Sequence, residues 1–231
     1  MCGRFSLIDP LTLFERLGIL PPPGLKPRYN VAPGQDFPVI LLEDGSLEAR
    51  MMRWGLIPSW AKDPKIGYKT INARAETAAE KPSFRDSFRK RRCLIPADGY
   101  YEWPTPAGMA HKIPIRFTLA GGEPFVFAGL WASWKQEPFD SAQDEPVRTF
   151  TILTTAADPA FAHIHDREPA ILSEEQSRVW LDPEADPPVL QSLLRPFPAS
   201  RLAGHEVSPI VNSGKNEVPA CVEPAGSFRW P

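Results

Sequence analysis

Cys2 follows the initiator methionine directly. A small residue at this position permits removal of Met1, which would leave an α-amine and a thiol on adjacent carbons, two nucleophiles on one residue. The structural alternative is a small, semi-buried cysteine that opens the first strand, since a lone cysteine is usually inert packing. Three polar and aromatic clusters stand apart from the packing pattern. PRYNVAPGQ (27–35) carries Asn30 and Pro33 in a turn-rich segment and is followed by RWGLIPSW (53–60). INARAET (71–77) sets Asn72, Arg74 and Glu76 on alternate positions, and ADGYYEW (97–103) holds Glu102 between aromatics. HIHDREPAIL (163–172) adds His165 and Arg167. Singly, each has a structural reading. Asn72 and Arg74 can bond each other, Glu102 can be the wet side of an edge strand, and His165 can cap a loop carbonyl.

The elements that must position these residues are mostly strands. Of 231 residues, 42% are hydrophobic and 23% charged, which predicts one large globular domain over 1–231 with a core of its own. Twenty-eight prolines and 15 glycines point to a loop-rich fold of short strands. Strand-like runs recur at 37–42, 47–54, 92–96, 99–103, 112–119, 124–131 and 147–153, many separated by turn residues. Helices are predicted at 10–17, with Asp9 as N-cap and Pro10 at the first position, at 83–90, at 173–180 with a Ser173/Gln176 capping box, and at 187–194. The order is not βαβα. It predicts an α+β fold, a curved antiparallel sheet or barrel-like core with flanking short helices. The polar stretch 135–146 reads as an exposed hairpin insertion.

Three cysteines, odd in number and widely spaced, indicate neither a disulfide framework nor a zinc site. No apolar run spans a bilayer and no leader pattern precedes the fold, so the expected location is the cytosol. A net charge of -2 argues against a general polyanion coat but leaves local patches open. One such patch is the run Arg85, Arg89, Lys90, Arg91 and Arg92, which is either a solvated helix face or a phosphate track.

Taken in order, MCGRF, RYNVAP, RWGLIPSW, NARAET, RRCLIPADGYYEW, AGLW, TILTTAA and HDREPAIL resemble the SOS-response-associated peptidase (SRAP) family over roughly residues 1–212. Members of that family crosslink themselves to abasic sites in single-stranded DNA. The resemblance implies Cys2, Asn72, Glu102 and His165 as the active-site set, and Arg4, Arg74 and Arg167 as phosphate contacts. Asn30 and Pro33 of the turn-rich cluster complete the candidate DNA-binding set with Trp54, expected to stack on a base while Trp60 lies in the core. No cofactor, metal or membrane is implied; the partner is single-stranded DNA bearing abasic sites, the protein a DNA-associated monomer. Two departures stand out. Glu168 occupies a position where many relatives have methionine, and an acid there should either point away from phosphate or weaken DNA binding. The acidic insertion near 137–145 should likewise lie off the DNA face.

That resemblance gives the aminothiol a target. A ring-opened abasic sugar is an aldehyde, and an α-amine with an ordinary pKa near 7.7–8.0 is partly neutral at pH 7. The amine forms an imine and the adjacent thiol closes on it as a thiazolidine. Glu102 between aromatics has a setting that raises a carboxyl pKa and suits acid–base work. His165 can protonate the departing sugar oxygen or assist reversal, and Asn72 can orient the amine or the sugar. Gly3 gives a flexible approach and Phe5 a core anchor. A rival is an N-terminal-nucleophile cysteine amidohydrolase, since class II glutamine amidotransferases also begin Met-Cys-Gly. The Arg-Gly and Asn-Gly dipeptides typical of those enzymes do not occur here. Peptidase activity and a DNA-binding module without chemistry are the remaining alternatives.

Overall fold

The computed structural model describes residues 2–105, 110–135 and 145–230. Its elements in chain order are β1 (Phe5–Leu7), α1 (Pro10–Arg16), β2 (Arg28–Val31), β3 (Asp36–Glu43), β4 (Ser46–Trp54), β5 (Asn72–Arg74), α2 (Ala75–Ala78), α3 (Arg85–Lys90), β6 (Arg92–Ala97), β7 (Gly99–Glu102), β8 (Ile115–Leu119), β9 (Phe125–Trp134), β10 (Val147–Ala156), β11 (Arg167–Pro169), β12 (Ile171–Leu172), α4 (Glu174–Leu181), α5 (Pro187–Leu193), β13 (Leu202–Val207) and β14 (Pro224–Trp230).

β3, β4, β6, β9 and β10 close on themselves. β3 pairs β4 and β6, β6 pairs β9, β9 pairs β10, and β10 returns to β4, which makes a five-stranded barrel without a free edge. The β3–β4 hairpin turns at Asp44 and Gly45, both with positive φ (49° and 78°), the backbone of a tight turn whose twist matches the strands it joins. The barrel departs from a purely antiparallel sheet at its closing seam. β4 and β10 run parallel, with Thr149 opposite Arg53 and Phe150 opposite Trp54, and β5 also lies parallel to β10. That seam joins residues about a hundred positions apart, so no hairpin turn announces it in the sequence. β5 and β11 extend β10, and β12 extends β9.

A second, six-stranded sheet runs β14–β13–β8–β7–β1–β2. It joins the barrel through the core, where the Phe5 ring meets Phe37 edge-on at 4.8 Å and lies 5.1 Å from Trp54 and 6.0 Å from Phe127. Phe5 is therefore the anchor of the N-terminal strand. Helix ends follow local chemistry. Asp9 accepts from the Thr12 amide at 3.2 Å with Pro10 opening α1, and Ser173 with Gln176 forms a complete capping box on α4. Residues 136–144, most of the expected insertion, lie outside the described residues. Among the described residues no helix is long and apolar enough to cross a membrane.

Candidate active site

The antiparallel pairing of β1 with β7 carries the chain start to Glu102. Phe5 stands opposite Tyr100 and Ser6 opposite Gly99, and the Tyr101 amide donates to the Arg4 carbonyl at 3.0 Å. The Cys2 thiol reaches that same carbonyl, with Sγ 3.6 Å from it. Continuing the register brings the Cys2–Gly3 end alongside the last residue of β7. Glu102 is only 3% exposed, the opposite of a wet edge position, and burial pushes its carboxyl from an ordinary 4.5 up to about 7. Cys2 is fully buried; burial first, and the nearby Glu102 charge second, push its thiol far up. At neutral pH it is a thiol and not a thiolate.

The barrel supplies the other two groups through β10. On one side β10 pairs with β5, Ile152 opposite Asn72, and on the other with β11, Ala156 opposite Arg167. The Asn72 amide donates from Nδ2 to the Cys2 carbonyl at 2.8 Å, tying the chain start to the barrel. Its Oδ1 is buried without a hydrogen-bond partner among the described residues, as is the Tyr100 hydroxyl. These are unspent polar atoms close to Cys2. His165 sits in the loop 157–166 between β10 and β11, which Ala157 closes by donating to the Asp166 carbonyl at 3.0 Å. The Arg167 amide approaches His165 Nδ1 at 3.0 Å and Asp166 Oδ1 lies 2.8 Å from the same nitrogen, so the proton on Nδ1 decides which of the two contacts is a hydrogen bond. Burial lowers the imidazole below its usual range, so the neutral ring is the resting form. The charges of Asp166 and Lys112 act on both Glu102 and His165, which puts the two groups in one electrostatic neighbourhood.

The family model "SOS response associated peptidase (SRAP)" matches residues 1–214. The chain belongs to the SRAP family. It is 44% identical over 228 residues to the abasic site processing protein YoqW of Bacillus subtilis (strain 168), covering 96% of this chain and 99% of that one. It is 34% identical to the abasic site processing protein HMCES of Xenopus tropicalis, covering 85% of this chain and 66% of that one. A solved protein from Bacteroides thetaiotaomicron superposes with a TM-score of 0.85 at 29% identity, over 97% of this chain and 100% of that chain.

Several residues expected to contact DNA are turned inward. Asn30 is fully buried, and its Nδ2 faces the carbonyls of Val211, Ser213 and Asn216 at 3.2, 2.9 and 2.9 Å, so it clamps a loop instead of facing DNA. Trp54 is 1% exposed, stacked on Phe150 and donating from Nε1 to the Ile71 carbonyl at 2.8 Å; no base can stack on it. The expectation of Trp54 outside and Trp60 in the core is reversed, since Trp60 is 55% exposed. Arg167, 9% exposed, holds both oxygens of Glu76, at 2.7 and 2.8 Å, together with the Thr154 carbonyl. Its guanidinium is committed to the protein and is not a free phosphate hand. Arg4 is half-buried and donates to the Val211 carbonyl at 2.7 Å and to Asn30 at 3.2 Å. Arg74 is exposed on β5 and Pro33 is half-buried in a turn.

The basic run 85–92 divides. Arg92 is 7% exposed and caps helix ends, donating to the carbonyls of Trp180, Asp182, Phe88 and Arg89, while Arg85, Arg89 and Lys90 face solvent. Sequence reasoning missed Lys112, Asp166 and Tyr100 as neighbours of the site. Asp166 lies in a loop without periodicity, Lys112 opens the run 112–119 read as a strand that starts only at Ile115, and Tyr100 reads as one more core aromatic.

Proposed function

We propose that this protein processes abasic sites in single-stranded DNA by forming a covalent thiazolidine through Cys2 after loss of Met1. The observation that carries the reading is the Asn72 amide on the Cys2 carbonyl beside a carboxyl that titrates near 7. The names of its relatives, abasic site processing proteins, support the same reading. Glu102 in its acid form protonates the ring oxygen of the abasic sugar and releases the aldehyde. The neutral α-amine adds to the aldehyde carbon, and water leaves to give the imine. The Cys2 sulfur then bonds to that carbon, its proton passing to the nitrogen, which closes the five-membered ring. Neutral His165 accepts and returns protons in these steps. That role replaces donation from a charged ring, because burial keeps the imidazole neutral. The unspent Asn72 Oδ1 holds the amine or a sugar hydroxyl.

A thiol held protonated fits this order, amine first and sulfur second, with the thiol proton passing on only as the ring closes. Arg74 and the exposed Arg4 edge take backbone phosphates, and Trp60 offers the stacking face. The single domain expected over 1–231 acts without Met1, as a DNA-associated monomer. The test is incubation with an oligonucleotide carrying one abasic site. Wild type is expected to give a species that survives denaturing electrophoresis, and Cys2→Ser only an adduct that hydrolyses. An equal yield of stable adduct from Cys2→Ser would refute the mechanism.

A further inference from the structure

Glu168 is a buried carboxyl, 1% exposed, to which the chemistry above gives no part. On β11 the side chains alternate, Arg167 reaching Glu76 while Glu168 turns the other way. There it accepts the backbone amide of Asp158, at 3.2 Å, and that of Phe197. These amides belong to segments far apart in sequence. Asp158 opens the loop 157–166, and Phe197 lies in the chain between α5 and β13. The same joint is reinforced by the Ala160 amide donating to Asp158 Oδ1 at 2.9 Å and by the Ala199 amide lying 3.5 Å from Asp158 Oδ2. The loop then runs over buried Phe161 and Ile164 to His165, and closes through Ala157 and Asp166. One carboxylate thus bolts the hinge of the loop to a separate part of the molecule. An apolar side chain at this position could take neither amide.

We propose that Glu168 is a positioning residue that, by accepting the Asp158 and Phe197 amides, fixes the loop 157–166 and with it the placement of His165 beside Glu102. The part concerning the reaction rests on the function proposed above; the part concerning the loop does not. Three groups share the surroundings of Glu168. The Asp158 carboxyl opposes its charge, the Tyr100 hydroxyl is pushed up by it, and Arg167 beside it on the strand is occupied by Glu76. Burial raises Glu168 to about 7, so the clamp is strongest above neutrality, where both amides meet a charged acceptor.

Glu168→Gln keeps the size of the side chain but sets an NH2 against one of two amides, and the first readout is the His165 titration followed by NMR. It is expected to move upward, toward 6.5, as the loosened loop gains water. Glu168 is not among the charges that act on His165, and losing a negative charge would move the ring downward, so an upward shift reports position. The Asp158 and Phe197 amides should exchange about 10-fold faster. Crosslinking should slow about 10-fold, with affinity for undamaged single-stranded DNA unchanged. Should the variant fail to fold, wild type serves instead: protection of those two amides should fall as pH drops through about 7, ahead of their neighbours. An unmoved His165 titration, or exchange at both amides that depends on neither Glu168 nor pH, overturns the proposal. If wild type makes no crosslink at all, the function above fails, and the two NMR readouts still decide the positioning.

Discussion

The two ends of β7 hold two buried carboxyls in opposite settings. Asp98, just before the strand, is gripped at Oδ1 by Arg116 and by the Ser6 hydroxyl, each at 2.7 Å, and at Oδ2 by the Ile8 amide. Glu102, at the other end, lies beside Cys2 with its carboxyl pushed to about 7 by burial. Both ends brace β1, one by a fixed ion pair and the other at the site. The difference separates two uses of a buried acid. An acid matched to a guanidinium holds strands together. An acid whose burial outweighs its partners can gain and lose a proton near neutral pH, which acid–base chemistry requires.

Mutations should break the two ends in different measurements. Arg116→Met leaves Asp98 as an uncompensated buried charge and should cost about 3–5 kcal/mol in denaturant unfolding. Crosslinking per folded molecule should stay within about two-fold, because the pair does not touch the reacting atoms. Glu102→Gln should do the reverse, slowing crosslinking about 10²-fold in single-turnover assays, with stability unchanged or raised.

Titration sharpens the same contrast. A carboxyl whose folded pKa lies above its unfolded value holds its proton longer in the folded state, so Glu102 lowers stability progressively as pH rises from about 4.5 to 7 and by a constant amount beyond. Wild type and Glu102→Gln should therefore converge in stability below pH 4.5 and differ most above pH 7. The rate of wild type should rise as the amine deprotonates and fall as Glu102 loses its proton above about 7. Glu102→Gln should lack the falling limb. The smallest effect is expected at the surface. Trp60→Ala should weaken binding of undamaged single-stranded DNA by about 1–2 kcal/mol without altering the fold, as read by fluorescence anisotropy.

The long strands were legible because alternation and turn residues mark them, and the capped helices because Asp9, Pro10, Ser173 and Gln176 carry their own chemistry. β5, β11 and β12, two or three residues each, are too short for any period to register. Yet they carry Asn72 and flank the His165 loop. The parallel β4–β10 seam follows from barrel closure, which no local pattern encodes. Trp54 could have been placed correctly, since Met52 and Trp54 alternate inward on β4 while Met51 and Arg53 face out. Asn30 and Arg167 look like polar recognition residues in sequence. Their partners, the loop 211–216 and Glu76, come from distant stretches, so their commitment to the protein is visible only in three dimensions.

The central claim is the bond at Cys2, and peptide mapping of the crosslink by mass spectrometry tests it most directly. Protein lacking Met1, joined to an oligonucleotide with one abasic site and digested, should yield an N-terminal Cys2 peptide heavier by the sugar fragment less one water. That mass should be unchanged by borohydride, since a closed thiazolidine has no C=N bond to reduce. An adduct on a lysine, or one on Cys2 that gains two hydrogens on reduction, would contradict the account.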